Sequence, residues 1–203
     1  MYCLIADIKT RLGITTSTEW DTLLTGIVTG VSGMFDREIK RPLFVTAADV
    51  TEYVTGGCDL IQLMRYPING TITSIKETYG DYDFANATAL VANTDYRILT
   101  PGEYDRGLIK RLYAAWPGAL NCIEVKYKGG FCAAGVTPST GQYVLPGELR
   151  EAAIEQCSLL FKRRDDIGLS SQSFQGGSLN VFSKLELEPL VKQTLGHYAR
   201  KSL

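Results

Sequence analysis

Histidine is almost absent from this 203-residue chain: His197 is the only one. Any Ser/His/acid or Cys/His catalytic arrangement would rest on that single imidazole, and no G-x-S-x-G turn presents a nucleophile. The phosphate-cradling turns G-x-x-x-x-G-K-S/T and G-x-G-x-x-G are missing too. The five cysteines are an odd number with no C-x-x-C pair. That argues against a disulfide framework or a zinc site, and for small buried hydrophobes. No apolar run approaches the length of a bilayer span. The opening Met1-Tyr2-Cys3-Leu4-Ile5-Ala6-Asp7 lacks the basic-then-apolar order of a signal peptide, so a cytoplasmic chain is expected. A net charge of −1 lacks the basic excess of a nucleic-acid-coating protein. These absences point away from an enzyme, a cofactor or a metal, and leave His197 as a surface or helix-end residue.

What is present is an ordinary core-forming composition, 45% hydrophobic and 21% charged. A short helix is expected over 6–12, stopped by Gly13. Thr18-Glu19-Trp20-Asp21 has the T-x-x-D form of a capping box. It opens a second helix over 20–41, in which Trp20, Leu23, Leu24, Ile27, Val28, Val31, Met34, Phe35 and Ile39 share one face and Pro42 closes the end. Gly26, Gly30 and Gly33 line up along this helix, where another backbone could approach closely. That approach is either packing within the subunit or contact with a neighbour. On the second reading Gly26, Gly30, Gly33, Arg37 and Arg41 are subunit-interface candidates.

Residues 43–131 change to the two-residue period of strands. The runs 50–55 and 60–65 read as a hairpin about Gly56-Gly57, and strands are expected over 71–78, 96–99 and 122–128. The acidic, aromatic segment 79–86 reads as a solvated loop rather than a cation site. The Gly- and Ala-rich stretch 129–145 reads as a linker to a third helix over 148–166. The polar stretch 169–184 reads as a hinge or extended arm, and Pro189 suits the first turn of a last helix. The expected fold is α+β: a bundle of about four helices, an inserted small and mostly antiparallel sheet, and a C-terminal helical arm. The expected division is a core over 1–167 and a hinge with docking arm over 168–203. Phe182, Leu187, Leu190, Val191, Leu195, Tyr198 and Arg200 are the arm's candidate partner-docking residues.

The order of these features resembles the head–tail connector (adaptor, or head-completion) proteins of long-tailed double-stranded DNA phages. The resemblance runs from Phe35-Asp36-Arg37-Glu38-Ile39-Lys40-Arg41-Pro42-Leu43 through Leu63-Met64-Arg65-Tyr66-Pro67-Ile68 and Ile123-Glu124-Val125-Lys126-Tyr127-Lys128. It ends with Phe161-Lys162-Arg163-Arg164, the Ser-rich hinge and the closing 195–200. Asn69-Gly70 and the length of 129–145 depart from it. The resemblance implies a homo-oligomeric, dodecameric ring in the neck of a virion, assembled in the host cytoplasm. Its implied partners are a portal protein and a stopper or tail-completion protein. Genomic DNA would pass through without sequence recognition, and no membrane is involved.

Overall fold

The first turn of α1 (Ile5–Leu12) is held by Asp7, whose Oδ2 accepts the Leu4 N–H at 3.0 Å. Gly13 closes this helix in the left-handed region, at φ 72°. The computed structural model describes residues 1–68, 72–99, 106–139, 141–164, 172–174, 177–179 and 187–200, with 172–174 and 177–179 as backbone only. The fold is α+β, with four helices and small, mainly antiparallel sheets among the described residues. Two units form: a helical unit, Met1–Lys40 with Pro146–Ala199, and a sheet unit, Arg41–Leu145 with Arg200–Leu203.

In the helical unit, α2 (Asp21–Ile39) buries Leu24, Val28, Val31, Phe35 and Ile39, a narrower stripe than the face expected: Trp20, Ile27 and Met34 are half-buried and Leu23 is exposed. The capping box does not form. The helix starts at Asp21 with Trp20 at the N-cap, an indole that offers no acceptor to the first turn, and Asp21 pairs with Lys9 of α1. α3 (Gly147–Lys162) buries Leu149, Ala152, Ala153, Cys157 and Phe161. The expected end of this helix at 166 lies outside the described residues. Trp20 meets Phe161 edge-on at 5.6 Å, and Tyr2 meets Phe35 at 5.0 Å while its hydroxyl donates to Asp36 at 2.6 Å. α4 (Pro189–Tyr198) packs on both α2 and α3.

The sheet unit holds two three-stranded antiparallel sheets. In one, β6 (Ile123–Tyr127) is the centre, flanked by β1 (Val50–Val54) and β3 (Ser74–Glu77), with Glu52 opposite Val125 and Ile75 opposite Val125. In the other, β5 (Leu108–Arg111) lies between β2 (Leu60–Gln62) and β4 (Tyr96–Ile98). Ile61, Ile75, Ile109, Trp116, Ile123 and Val125 belong to the core that the strands bury together.

The expected hairpin between β1 and β2 is overturned, since the two strands belong to different sheets. The backbone after Gly56 is diverted onto Trp116: Gly57 donates to the Trp116 carbonyl at 3.1 Å, and Trp116 donates to Cys58 at 2.9 Å. The stretch read as a linker also holds structure, for β7 (Phe131–Cys132) pairs in parallel with β8 (Tyr143–Val144). Within the supposed hinge, β9 (Gln172–Phe174) and β10 (Gly177–Leu179) pair antiparallel. Gly129 and Gly130 are where the chain crosses itself. A Cβ at Gly130, which sits at φ 106°, would lie 2.4 Å from the Leu43 carbonyl oxygen, and one at Gly129 would lie 2.3 Å from that of Arg65.

Candidate interaction surfaces

The last helix is fixed by its own sequence. Pro189 stands in its first turn, and the backbone N–H of Glu188, at its N-cap, donates to Oε1 of Gln156 at 3.0 Å. Gln156 is fully buried on α3, so this amide acceptor is a built-in socket for the start of α4. Val191 and Leu195, one turn apart, are 1% and 0% exposed. Tyr198 donates its hydroxyl to Glu148, and Arg163 lies 3.8 Å from Glu188.

This packing corrects the expectation of a free arm for part of the residue set. Val191 and Leu195 are core of the helical unit, because a two-residue apolar stripe has α2 and α3 to cover it. Leu190 is on the opposite side, 63% exposed; Leu187 and Tyr198 are half-buried, and Arg200 is exposed. Phe182 lies outside the described residues. His197 is exposed.

Among the described residues nothing covers the outward face of α2: Gly26, Gly30 and Gly33 are exposed, and a Cβ added at any of them would meet no described atom within 4 Å. Leu23 and Arg37 are exposed on the same helix. Thr25 and Thr29 turn their hydroxyls back to the carbonyls of Asp21 and Thr25, at 2.7 and 2.9 Å, which leaves this face with few free polar groups. Arg41 differs, and its assignment to a subunit interface is corrected. It is 5% exposed, its guanidinium lies 3.5 Å from the Tyr66 ring centre, and it donates to the Tyr66 carbonyl at 2.5 Å. An arginine buried this way holds the sheet unit together.

Several other basic residues are also paired. Lys110 lies 3.4 Å from Asp59; Arg111 reaches Glu77 at 3.0 Å and Asp95 at 3.6 Å. Arg164 stacks over Trp20 and Phe161, at 4.8 and 4.4 Å. Arg150 pairs with Asp7 at 2.7 Å, while Arg11 pairs with Glu151 at 2.5 Å. Burial works to raise the Asp7 carboxyl, but its hydrogen bonds from Arg150 and from Leu4 outweigh that and hold it below the usual carboxylate range.

Glu52 is the polar knot of the sheet unit. Its carboxylate accepts the Tyr127 hydroxyl at 2.6 Å and the Met64 N–H at 3.0 Å, joining β1, β6 and the segment after β2. Burial, then the Glu52 charge, pushes the Tyr127 phenol well above its ordinary value, so it remains a donor. In the acidic loop Asp83 accepts from the Asn86 side chain at 2.7 Å and from its backbone at 3.3 Å, capping its own turn. Of the five cysteines, four are buried as expected, whereas Cys58 is exposed.

Exposed aromatics are the feature that strand-by-strand reading passes over. Tyr53, Tyr79, Tyr82 and Tyr113 all stand more than half exposed on the sheet unit. Tyr53 is tilted against Phe84, with ring centres 5.4 Å apart. One signal was available: residues 112–120 hold no charged side chain in a chain that is 21% charged.

No protein-family model matches the chain. No curated protein matches it either. Among solved structures, the chain is similar to one from the neck of an empty gene transfer agent particle computed with C6 symmetry. That match has a TM-score of 0.56 and 15% identity, covering 98% of this chain and 90% of the other. A chain from the neck of the native particle, computed with C12 symmetry, matches with a TM-score of 0.55 and 16% identity, covering 98% and 89%. A chain from the virion of the native particle gives 0.57 and 17%, covering 98% and 90%. At these identities the likeness is one of fold, and it spans nearly the whole of both chains.

Proposed function

We propose that this protein is a structural component of the neck of a phage-like particle. In this reading its copies form a dodecameric ring between portal and tail, extend the DNA channel, and offer the stopper or tail-completion protein a docking surface. The observation that carries the reading is the near full-length likeness in fold to chains from particle necks computed with six- and twelve-fold symmetry. The protein acts by binding rather than by catalysis, in the neck of the virion after assembly in the host cytoplasm.

A closed ring needs two different complementary faces on each subunit. The open α2 face with Gly26, Gly30, Gly33 and Arg37 is one candidate for the subunit interface. The outward side of the last helix, with Leu187, Leu190, Tyr198 and Arg200, and Phe182 before it, is the candidate portal-docking surface. Val191 and Leu195 serve that surface from beneath by holding the helix. DNA passes without being gripped, because Lys110, Arg111 and Arg164 already have acidic or aromatic partners and the net charge is −1. A stopper-type ring is expected to be mainly β, and four helices speak against it. Particles assembled without this chain should yield DNA-filled heads that carry no tails on electron micrographs. Tailed, infectious or transfer-competent particles made in its absence would overturn the reading.

A further inference from the structure

Residues 112–120 form the connection between β5 and β6, and their outer side is uncharged. Tyr113 is 99% exposed and Leu120 69% exposed, with Ala114, Ala115 and Gly118 exposed between them. Tyr113 also sits at φ 62°, in the left-handed region that a side-chain-bearing residue rarely adopts. A strained backbone that turns an aromatic ring fully into water does nothing for the fold by itself.

The loop is nonetheless pinned on both sides. Leu112 donates to the Asp95 carbonyl at 2.8 Å, and Trp116, buried beneath, donates to Cys58 at 2.9 Å. Asn121 donates to the Thr55 hydroxyl at 3.0 Å. At the root, Arg111 bonds Glu77 at 3.0 Å and the Asp95 carbonyl at 2.8 Å, and lies 5.6 Å from the Trp116 ring centre. An aromatic side chain on a backbone already fixed loses little freedom on docking, which is the property of an interface anchor.

The chemistry around the tip selects the partner. Lys110 is paired with Asp59 and Arg111 with Glu77, so the root offers no unpaired cation to a phosphate, whether of nucleic acid or of a lipid headgroup. An uncharged ring and an aliphatic side chain match an uncharged protein pocket. One tyrosine and one leucine bury a few hundred Å², well short of the roughly 1,000 Å² of a stable pairwise interface. Such a contact gains force only when repeated around a closed assembly, and a second copy of the same chain supplies that repetition. Leu23 on the open α2 face is an exposed apolar side chain of the same chain, 40% exposed.

We infer that the loop 112–120, led by Tyr113, is a preformed knob that seats in an uncharged apolar pocket on a neighbouring copy of this chain; this rests on the ring reading above. The test uses the full-length chain with a photoreactive phenylalanine in place of Tyr113, concentrated and irradiated, beside Tyr113→Phe and Tyr113→Gly. Crosslinks from position 113 should join two copies. Tyr113→Phe should associate as the wild type does. Tyr113→Gly relieves the backbone strain, so it should unfold at the same or a higher temperature while its self-association weakens by at least about tenfold. Wild-type association by Tyr113→Gly would overturn the knob and leave the ring standing, as would crosslinks from position 113 that stay within one copy while the chain still associates. A wild-type chain that forms no multimer even when mixed with its portal protein would overturn both.

Discussion

The last helix and the loop 112–120 exchange the roles their sequences suggest. The helix follows a polar stretch and carries only two apolar residues one turn apart on its inner side, as a tethered arm would. The structure instead buries Val191 and Leu195 against α2 and α3 and anchors the helix start on Gln156. The loop looks like an ordinary connection between strands, yet it exposes Tyr113 and Leu120 on a pinned backbone. The difference lies in what each segment can find to cover it. Val191 and Leu195 have two helices beside them, whereas the ring of Tyr113 meets solvent.

The largest effect expected from breaking this comparison comes from ending the chain after Lys184. Without α4, Gln156 loses its bond from Glu188 and the face that covered Val191 and Leu195 opens to water. The helical unit should lose several kcal/mol of stability, and Leu195→Ala alone should cost about 2–5 kcal/mol in chemical denaturation. A truncated chain as stable as the full one would return α4 to the status of a free arm.

Next in size is a contrast between two glycines. Gly130→Ala drives a Cβ against the Leu43 carbonyl at a positive φ and should destabilise the sheet unit by roughly 2–4 kcal/mol. Gly30→Ala meets open space in a helix interior and should stabilise the isolated chain by about 1 kcal/mol. If the open α2 face is a subunit interface, the same Gly30→Ala chain should melt higher yet assemble less well. Equal assembly would remove that face from the ring contact.

The smallest effect concerns Asp7. Its carboxyl is held below the ordinary value, so its contribution is complete above about pH 4 and is lost as pH falls through the lowered value. Because Arg150 is nearly half exposed, the ion pair itself adds little. Asp7→Ala should cost about 1 kcal/mol at neutral pH, chiefly the lost cap of α1. The difference from wild type should shrink in acid, as measured by thermal melts from pH 7 down to pH 2.

The helices were legible because their periods are local: the apolar spacing of α2 takes in Leu24, Val28, Val31, Phe35 and Ile39, all buried, although it also takes in Leu23, which is exposed. Strand positions were partly legible, but their partners were not. β1 pairs with β6, more than sixty residues on, and Glu52 finds Tyr127 across the same gap. Alternation tells which residues face inward without telling which strand lies alongside. The short strands β5, β7 and β8 gave too few residues for any period to register. Arg41 looked like a surface charge beside Arg37 because its burial depends on Tyr66, a residue whose position only the fold supplies. Of the candidate surfaces, the α2 glycines were visible as a spacing. Tyr113 was visible only as part of a charge-free stretch.

The central claim, a ring component of a particle neck, is tested most directly by native mass spectrometry of the full-length chain mixed with its portal protein. The account predicts one dominant cyclic species in which many copies of the chain, twelve in the proposed ring, are bound to the portal. A chain that stays monomeric and unbound at every ratio would contradict it.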